Sequence, residues 1–242
     1  MSVPVCEARN VRASYIPGMP IVFDISVAID AGELVTLIGP NGAGKSTFLK
    51  ALAGLVLVEG GEVRLGGERI SGLPTHEIIA AGVGFVPQTS NVFSSLSIED
   101  NLISGGHTLS RPLMRERVQR AFEHFPALAE RRRAPANVLS GGQRQMLAVA
   151  RALMTDPRVI MLDEPTAGLA PKIVHEVLDD LRRLAQSGVA VLMVEQNAKA
   201  ALRVSDRAYV LVEGRNHMTG TASDLLDNDA IAEAFLGFRR KS

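Results

Sequence analysis

The stretch GPNGAGKST, residues 39–47, sets a glycine, four residues, a second glycine, a lysine and a serine in an order suited to gripping a chain of phosphates. Gly42 and Gly44 allow the backbone to bend until several N–H groups point inward at one anion. A helix starting there adds about half a positive charge at its N-terminus. Lys45 can reach the β- and γ-phosphates of a nucleoside triphosphate, and the Ser46 hydroxyl can ligate Mg2+. Gly39, Pro40, Asn41, Ala43 and Thr47 complete the loop. Alone, it leaves kinases, GTPases, helicases and transport ATPases all open.

Two further stretches carry chemistry. VIMLDEPT, residues 159–166, runs four apolar residues into the adjacent acids Asp163 and Glu164. Adjacent carboxylates repel and are costly to bury, so the pair makes sense in a cleft built around a cation. Asp163 suits completion of a Mg2+ site, and Glu164 suits a general base that polarises an attacking water. LSGGQRQ, residues 139–145, puts a serine and two glycines at the start of a helix, a second anion-binding helix end. One nucleotide needs no second end unless that end serves a nucleotide held mainly by another subunit.

These residues require elements to position them. Apolar runs Leu34–Ile38, Val83–Val86, Val159–Leu162, Val189–Val194 and Ala208–Val212 read as buried strands. Val174, Val177, Leu178, Leu181 and Ala185 share one face of a helix over about 172–186, and Gln186-Ser187-Gly188 stops it. Strands alternating with helices predict an α/β domain with a mostly parallel sheet. Ile25, Val27 and Ile29 alternate with Ser26, Ala28 and Asp30, and GGEVRLGGERI reads as a strand between glycine turns. A small antiparallel sheet packed beside the parallel one is therefore expected.

Strand signals fade between about 89 and 155. Met114, Val118, Ala121, Phe122 and Phe125 form a helical stripe, and GQRQMLAVARALM is a strong helix, which predicts an inserted helical subdomain. TASDLLDNDAIAEAFLGF reads as a short closing helix with Leu225, Leu226, Ile231 and Phe235 at its apolar positions. The expected division is 1–88, 89–155 and 156–242.

Composition excludes some partners. The 26 basic and 26 acidic residues cancel, so neither a nucleic-acid polyanion nor an anionic membrane surface is expected as the main partner. Arg131-Arg132-Arg133 reads as a solvated helix end. With Cys6 the single cysteine, no intrachain disulfide forms and a reducing compartment is expected. No apolar run approaches the ~18 to 20 residues that span a bilayer, so the chain is expected to be soluble by itself.

LSGGQ followed by VIMLDEP resembles the ATP-binding cassette family, the nucleotide-hydrolysing subunits of ABC transporters, and the resemblance runs from Val5 to about Phe235. It implies an α/β P-loop NTPase (RecA-like) core with a small N-terminal antiparallel β-subdomain and an inserted α-helical subdomain. ATP and Mg2+ are the implied cofactors. In the family two cassettes pack head to tail, each ATP lying between the phosphate loop of one and the signature of the other. Carried over, Ser140, Gly141, Gly142 and Gln143 act on the partner's ATP. Tyr15 lies where the family places an aromatic that stacks on adenine, beside the plainer reading of an edge-strand tyrosine. Gln88 matches the glutamine that approaches the magnesium and the water, and residues 89–101 would face the membrane partner.

Two positions depart from the family. Gln196 stands where a histidine usually contacts the γ-phosphate, and none of His76, His107, His124, His175 or His217 lies in a comparable place along the chain. A glutamine amide donates a hydrogen bond but carries no charge, so slower or differently regulated hydrolysis is expected. Ala170 stands where many cassettes have an aspartate that communicates between the two sites.

EPTAGLAP, VEQNAKAAL and ERRRAPANVLSGGQRQMLAVARALM together are similar to an ATPase subunit of the importers for branched-chain amino acids. That branch implies pairing with a second cassette, heterodimer favoured, and two integral-membrane permeases. An extracytoplasmic solute-binding protein feeds them, and the cassette sits on the cytoplasmic face of the membrane. Close relatives import urea or short amides, so the cargo stays open between branched-chain amino acids, urea or amides, and other amino acids. A soluble cassette acting on DNA or ribosomes is disfavoured by the single cassette, lone cysteine and balanced charge; no nucleic-acid partner is expected.

Overall fold

The structure, a computed structural model, describes residues 3–89 and 91–227. Strand β1 (Cys6–Ser14) pairs antiparallel with β2 (Val22–Ile29), and β3 (Leu34–Ile38) leads through the glycine loop into α1 (Lys45–Leu52). Next come β4 (Leu57–Leu65), the two-residue β5 (Glu68–Arg69), α2 (Thr75–Ala81) and β6 (Val83–Val86). A helical run follows: α3 (Ile98–Gly105), α4 (Arg111–His124), α5 (Pro126–Ala129), a 3-10 turn (Ala136–Val138) and α6 (Gly141–Leu153). The chain then returns with β7 (Val159–Asp163), α7 (Pro171–Gln186), β8 (Ala190–Val194) and α8 (Ala198–Val204). β9 (Arg207–Val212), β10 (Arg215–Thr221) and α9 (Ala222–Asp227) complete the described chain.

The strand order is β5-β4-β1-β2-β10-β9-β3-β8-β7-β6. β9, β3, β8, β7 and β6 run parallel, as the apolar runs predict. Because neighbours in a parallel sheet point the same way, β3, β8, β7 and β6 all end on one edge. That edge collects residues from four distant parts of the sequence.

The antiparallel strands β1, β2, β4 and β5 form the small sheet expected, joined to the parallel one at its edge. They continue it, since β10 pairs antiparallel with β9 and touches β2 through the parallel pair Arg215 and Asp24. The cause is a polar strand, RNHMTGT, that apolar periodicity does not find. Both parts of the sheet share α1, whose Phe48, Leu49 and Leu52 lie in one core with Val11 and Ile25 as well as with Met161 and Leu192. β1 is equally hard to read, because its alternation slips. Cys6 and Ala8 are buried, then Val11 and Ala13, with a register shift between Ala8 and Val11 and Asn10 at φ 50°. A bulge adds one residue and moves every later side chain to the other face.

On the opposite face α7 buries Val174, Val177, Leu178, Leu181 and Ala185, as its periodicity predicts. Val118, Ala121 and Phe122 of α4 are buried in a separate helical core with Ile98, Leu102 and Leu147, and Met114 and Phe125 pack at its margin. Leu225 is buried in α9; Ile231 and Phe235 lie outside the described residues.

Candidate functional site

The glycine loop fills the gap between the end of β3 and α1. Gly44 occupies the N-cap of α1 with φ 88° and no side chain caps the helix. The first-turn N–H groups therefore remain for a ligand. At Gly39, φ is 150° and a Cβ would sit 2.1 Å from the Leu211 carbonyl oxygen, so β9 leaves no room for a side chain there. Lys45 is 5% exposed, and its Nζ donates to the carbonyls of Gly39 and Pro40 at 2.9 and 3.0 Å. Burial lowers its pKa, while the Glu164 and Asp163 carboxylates oppose that shift. A cation stored at the mouth of a ring of N–H groups is matched to phosphate oxygens.

Asp163 ends β7 at 3% exposure. Its Oδ1 accepts a hydrogen bond from Ser46 Oγ at 2.6 Å, and the Lys50 ammonium lies 3.8 Å from Oδ2. Lys50, one turn along α1, is a partner that motif reading does not supply. Two hard oxygen donors side by side, one anionic, fit Mg2+, which takes few protein ligands alongside phosphate oxygens. Among the described residues no cluster of three or more His, Cys, Asp or Glu is placed to hold a metal ion.

Glu164 follows in the left-handed region at φ 49°. A non-glycine residue held there is uncommon and is kept by its surroundings. Gln88 Nε2 donates to Glu164 Oε2 at 2.9 Å, and Gln196 Nε2 donates to both Glu164 oxygens at 2.9 Å. The ends of β6, β7 and β8 thus meet at one carboxylate. A cavity of about 420 Å3 is lined by Ile21, Asn41, Gly42, Ala43, Gly44, Lys45, Ser46, Thr47, Glu164 and Gln196.

Other expected residues stand apart from that cavity. Tyr15 is 55% exposed at the end of β1 and does not line it, although Ile21, at the far end of the same loop, does. Ser140 caps α6 through a reciprocal capping box. Its Oγ accepts from Gln143 N at 3.2 Å, and Gln143 Oε1 accepts from Ser140 N at 3.1 Å. Ser140, Gly142 and Gln143 line a different cavity, shared with Ile173, Glu176 and Val177 of α7.

His175 and Glu195, on the wall of a further cavity, and Asn101, buried away from the cavities described, carry no local signal. His175, far from the expected histidine position in sequence, lines a second cavity of about 250 Å3 together with Glu164, Thr166, Glu195 and Gln196. Glu195 is 3% exposed, and burial raises its pKa against the hydrogen bonds from Thr166. Asn101 is fully buried on α3, where its Oδ1 accepts from Phe93 N and its Nδ2 donates to the carbonyls of Phe93 and Ser97.

The sequence profile of the ABC transporter family matches residues 22–167. The chain is 42% identical over 225 residues to the high-affinity branched-chain amino acid transport ATP-binding protein BraG of Pseudomonas aeruginosa, covering 93% of this chain and 97% of that one. This chain belongs to the ABC transporter family. Membership makes it an ATP-binding, ATP-hydrolysing subunit with the P-loop NTPase fold. A second ABC relative, the probable branched-chain amino acid transport ATP-binding protein LivF of Archaeoglobus fulgidus, is 41% identical over 218 residues, 90% of this chain and 92% of that one. Among solved structures, an ATP-binding cassette of an ABC transporter in its ADP conformation superposes with TM-score 0.85 at 25% identity, over 98% of this chain and all of that one.

Within the ABC fold the two departures acquire geometry. Gln196 reaches the general-base carboxylate expected at Glu164 rather than standing idle. Ala170 is the N-cap of α7, in extended backbone at φ −64° and ψ 146°, with no side-chain cap. The aspartate many ABC cassettes have there would also have capped this helix.

Proposed function

We propose that this ABC ATPase subunit energises uptake of branched-chain amino acids through two partner permeases. It docks on the cytoplasmic face of the membrane beside a second cassette. The observation that carries the ATPase part is the Glu164 carboxylate, held by two amides between the β6, β7 and β8 ends and facing the glycine-loop cavity. Gly39 to Thr47 cradle the phosphates and Lys45 offsets their charge. Ser46 and Asp163 hold Mg2+, with Gln88 close by. When bound, the ion neutralises charge developing on the phosphates. Glu164 polarises the attacking water, and Gln196 orients Glu164 while offering an N–H toward the γ-phosphate. Tyr15 stacks on the adenine from its exposed loop. Ser140, Gly141, Gly142 and Gln143, remote from this chain's own glycine loop, complete the site of the partner cassette.

Permease docking is supported by the segment after Gln88. Phe93 and Leu96 are exposed at 52% and 39%, with the Arg151 guanidinium 5.0 Å from the Phe93 ring centre, and Ile103 is exposed on α3. Exposed apolar side chains on and just beyond a loop that begins at the active site can pass a change at Glu164 to a partner. Segments 1–88, 89–155 and 156–242 divide accordingly, the middle one bearing both the permease-facing loop and the signature helix. No described helix is long and apolar enough to cross a membrane, so translocation is assigned to the permeases.

Branched-chain cargo is argued from BraG and LivF, whose names carry that substrate. Reconstituting the chain with its permeases and binding protein in vesicles tests it. Uptake of radiolabelled leucine, isoleucine and valine is expected with internal MgATP and is lost in Glu164→Gln. Uptake of urea or acetamide in place of these amino acids would overturn the cargo. Native uptake in Glu164→Gln would overturn the base.

A further inference from the structure

Three links tie the turn after β7 to the end of β8. Glu164 N donates to the Val194 carbonyl at 3.0 Å. Gln196 Nε2 donates to the Glu164 carboxylate. Between them, Glu195 Oε1 accepts from both Thr166 N at 2.9 Å and Thr166 Oγ1 at 2.8 Å. The first link is backbone and survives any substitution except proline at 164. The third is made by the reacting carboxylate itself. The middle link alone is built from a dedicated side chain on each strand end.

Its form is costly. Glu195 is 3% exposed and sits next in sequence to a residue contacting a second carboxylate. An apolar residue would fill the space without the desolvation that a buried acid suffers. The position of the acceptor explains the choice. Pro165 has no N–H, so Thr166 is the first residue after Glu164 whose amide can anchor the turn. Thr166 is itself buried, where an unpaired amide is unfavourable. One oxygen satisfies both its donors, while Glu164 is held at φ 49° by what flanks it.

We propose that Glu195 is a positioning residue for hydrolysis: by holding Thr166 it fixes the turn that carries Glu164 against the strand end that carries Gln196. The role is that of an acceptor, not of a charge. It rests on the reading of Glu164 as the general base, and it names the device that keeps that base in register with Gln196.

The test uses the full chain and MgATP with Glu195→Gln, Glu195→Ala, Thr166→Val and, in parallel, Glu164→Gln. kcat and KM for ATP are measured, together with hydrogen exchange of the Thr166 amide. Glu195→Gln keeps a carbonyl acceptor and is expected to hold kcat within about twofold with the amide protected, whereas Glu195→Ala loses about 10- to 100-fold in kcat, since a small misplacement of a catalytic group has that effect. KM for ATP stays within about twofold in both, because the phosphate loop is untouched. The Thr166 amide exchanges faster in Glu195→Ala. Thr166→Val deletes only the hydroxyl donor and falls between native and Glu195→Ala; it decides the question if Glu195→Ala does not fold. Native kcat in folded Glu195→Ala, or in Thr166→Val when the alanine variant is unfolded, overturns the proposal. So does an equal loss in Glu195→Gln and Glu195→Ala. If Glu164→Gln is inactive while Glu195→Ala is native, the clamp alone fails; if Glu164→Gln keeps the native rate, the base assignment fails.

Discussion

At Glu164 four pieces of chain converge: its own strand end, Gln88 from β6, Gln196 from β8 and the glycine loop across the cavity. A carboxylate receiving three hydrogen bonds from two uncharged amides is oriented by them. Replacing Gln196 with histidine adds a ring that can carry charge toward the γ-phosphate. We expect Gln196→His, assembled with its partners, to hydrolyse ATP faster than the native chain. Equal rates in a phosphate-release assay would contradict a rate-limiting role for this position. Glu195 adds a pH effect. Its folded carboxyl pKa is raised by burial, so the folded state binds more protons than the unfolded one above the ordinary carboxyl value. Stability contributed by this group is therefore greatest below that value and declines as pH rises through the raised one. Thermal denaturation across that window should be less pH-dependent in Glu195→Gln than in the native chain. Lys45, Ser46, Asp163 and Glu164 were legible from spacing because their chemistry is local to two short motifs. Glu195, Lys50 and His175 were not, since the groups they bond to or share a cavity with come from parts of the chain that only the folded sheet brings together.

The elements hold these residues with different margins. α1 is anchored by Phe48, which is fully buried between the parallel strands and the antiparallel wing, so Phe48→Ala should destabilise by about 3–5 kcal/mol and loosen the phosphate loop with it. α7 starts at Ala170 with no side-chain cap in a backbone conformation that suits one. Ala170→Asp is therefore predicted to stabilise the chain by about 0.5–2 kcal/mol in urea unfolding, whether or not it alters coupling between sites. A lower midpoint would mean that the helix start is constrained in some other way. Asn101 ties Phe93, Ser97 and α3 together, and Asn101→Ala leaves the Phe93 amide and carbonyl searching for partners, a loss of about 1–3 kcal/mol. The parallel strands and α7 follow from unbroken apolar periodicity. β1 and β10 escape it for opposite reasons, one because a bulge at Asn10 shifts its phase, the other because its exposed residues carry no apolar signal at all.

For the whole molecule, the parallel sheet concentrates the chemistry on one edge, and the helical segment carries the capped start of α6 and a loop with exposed Phe93 and Leu96, both apart from the glycine-loop cavity. In the function proposed above, the first serves a second cassette and the second serves permeases. A tagged Glu164→Gln chain, which should bind ATP and not hydrolyse it, would be recovered from its own cell membranes with MgATP present and everything retained identified. Recovery of two permeases and a second cassette is expected. Recovery from the soluble fraction alone, with ribosomes or nucleic acid, would contradict the proposed function and leave only the ATPase chemistry in place.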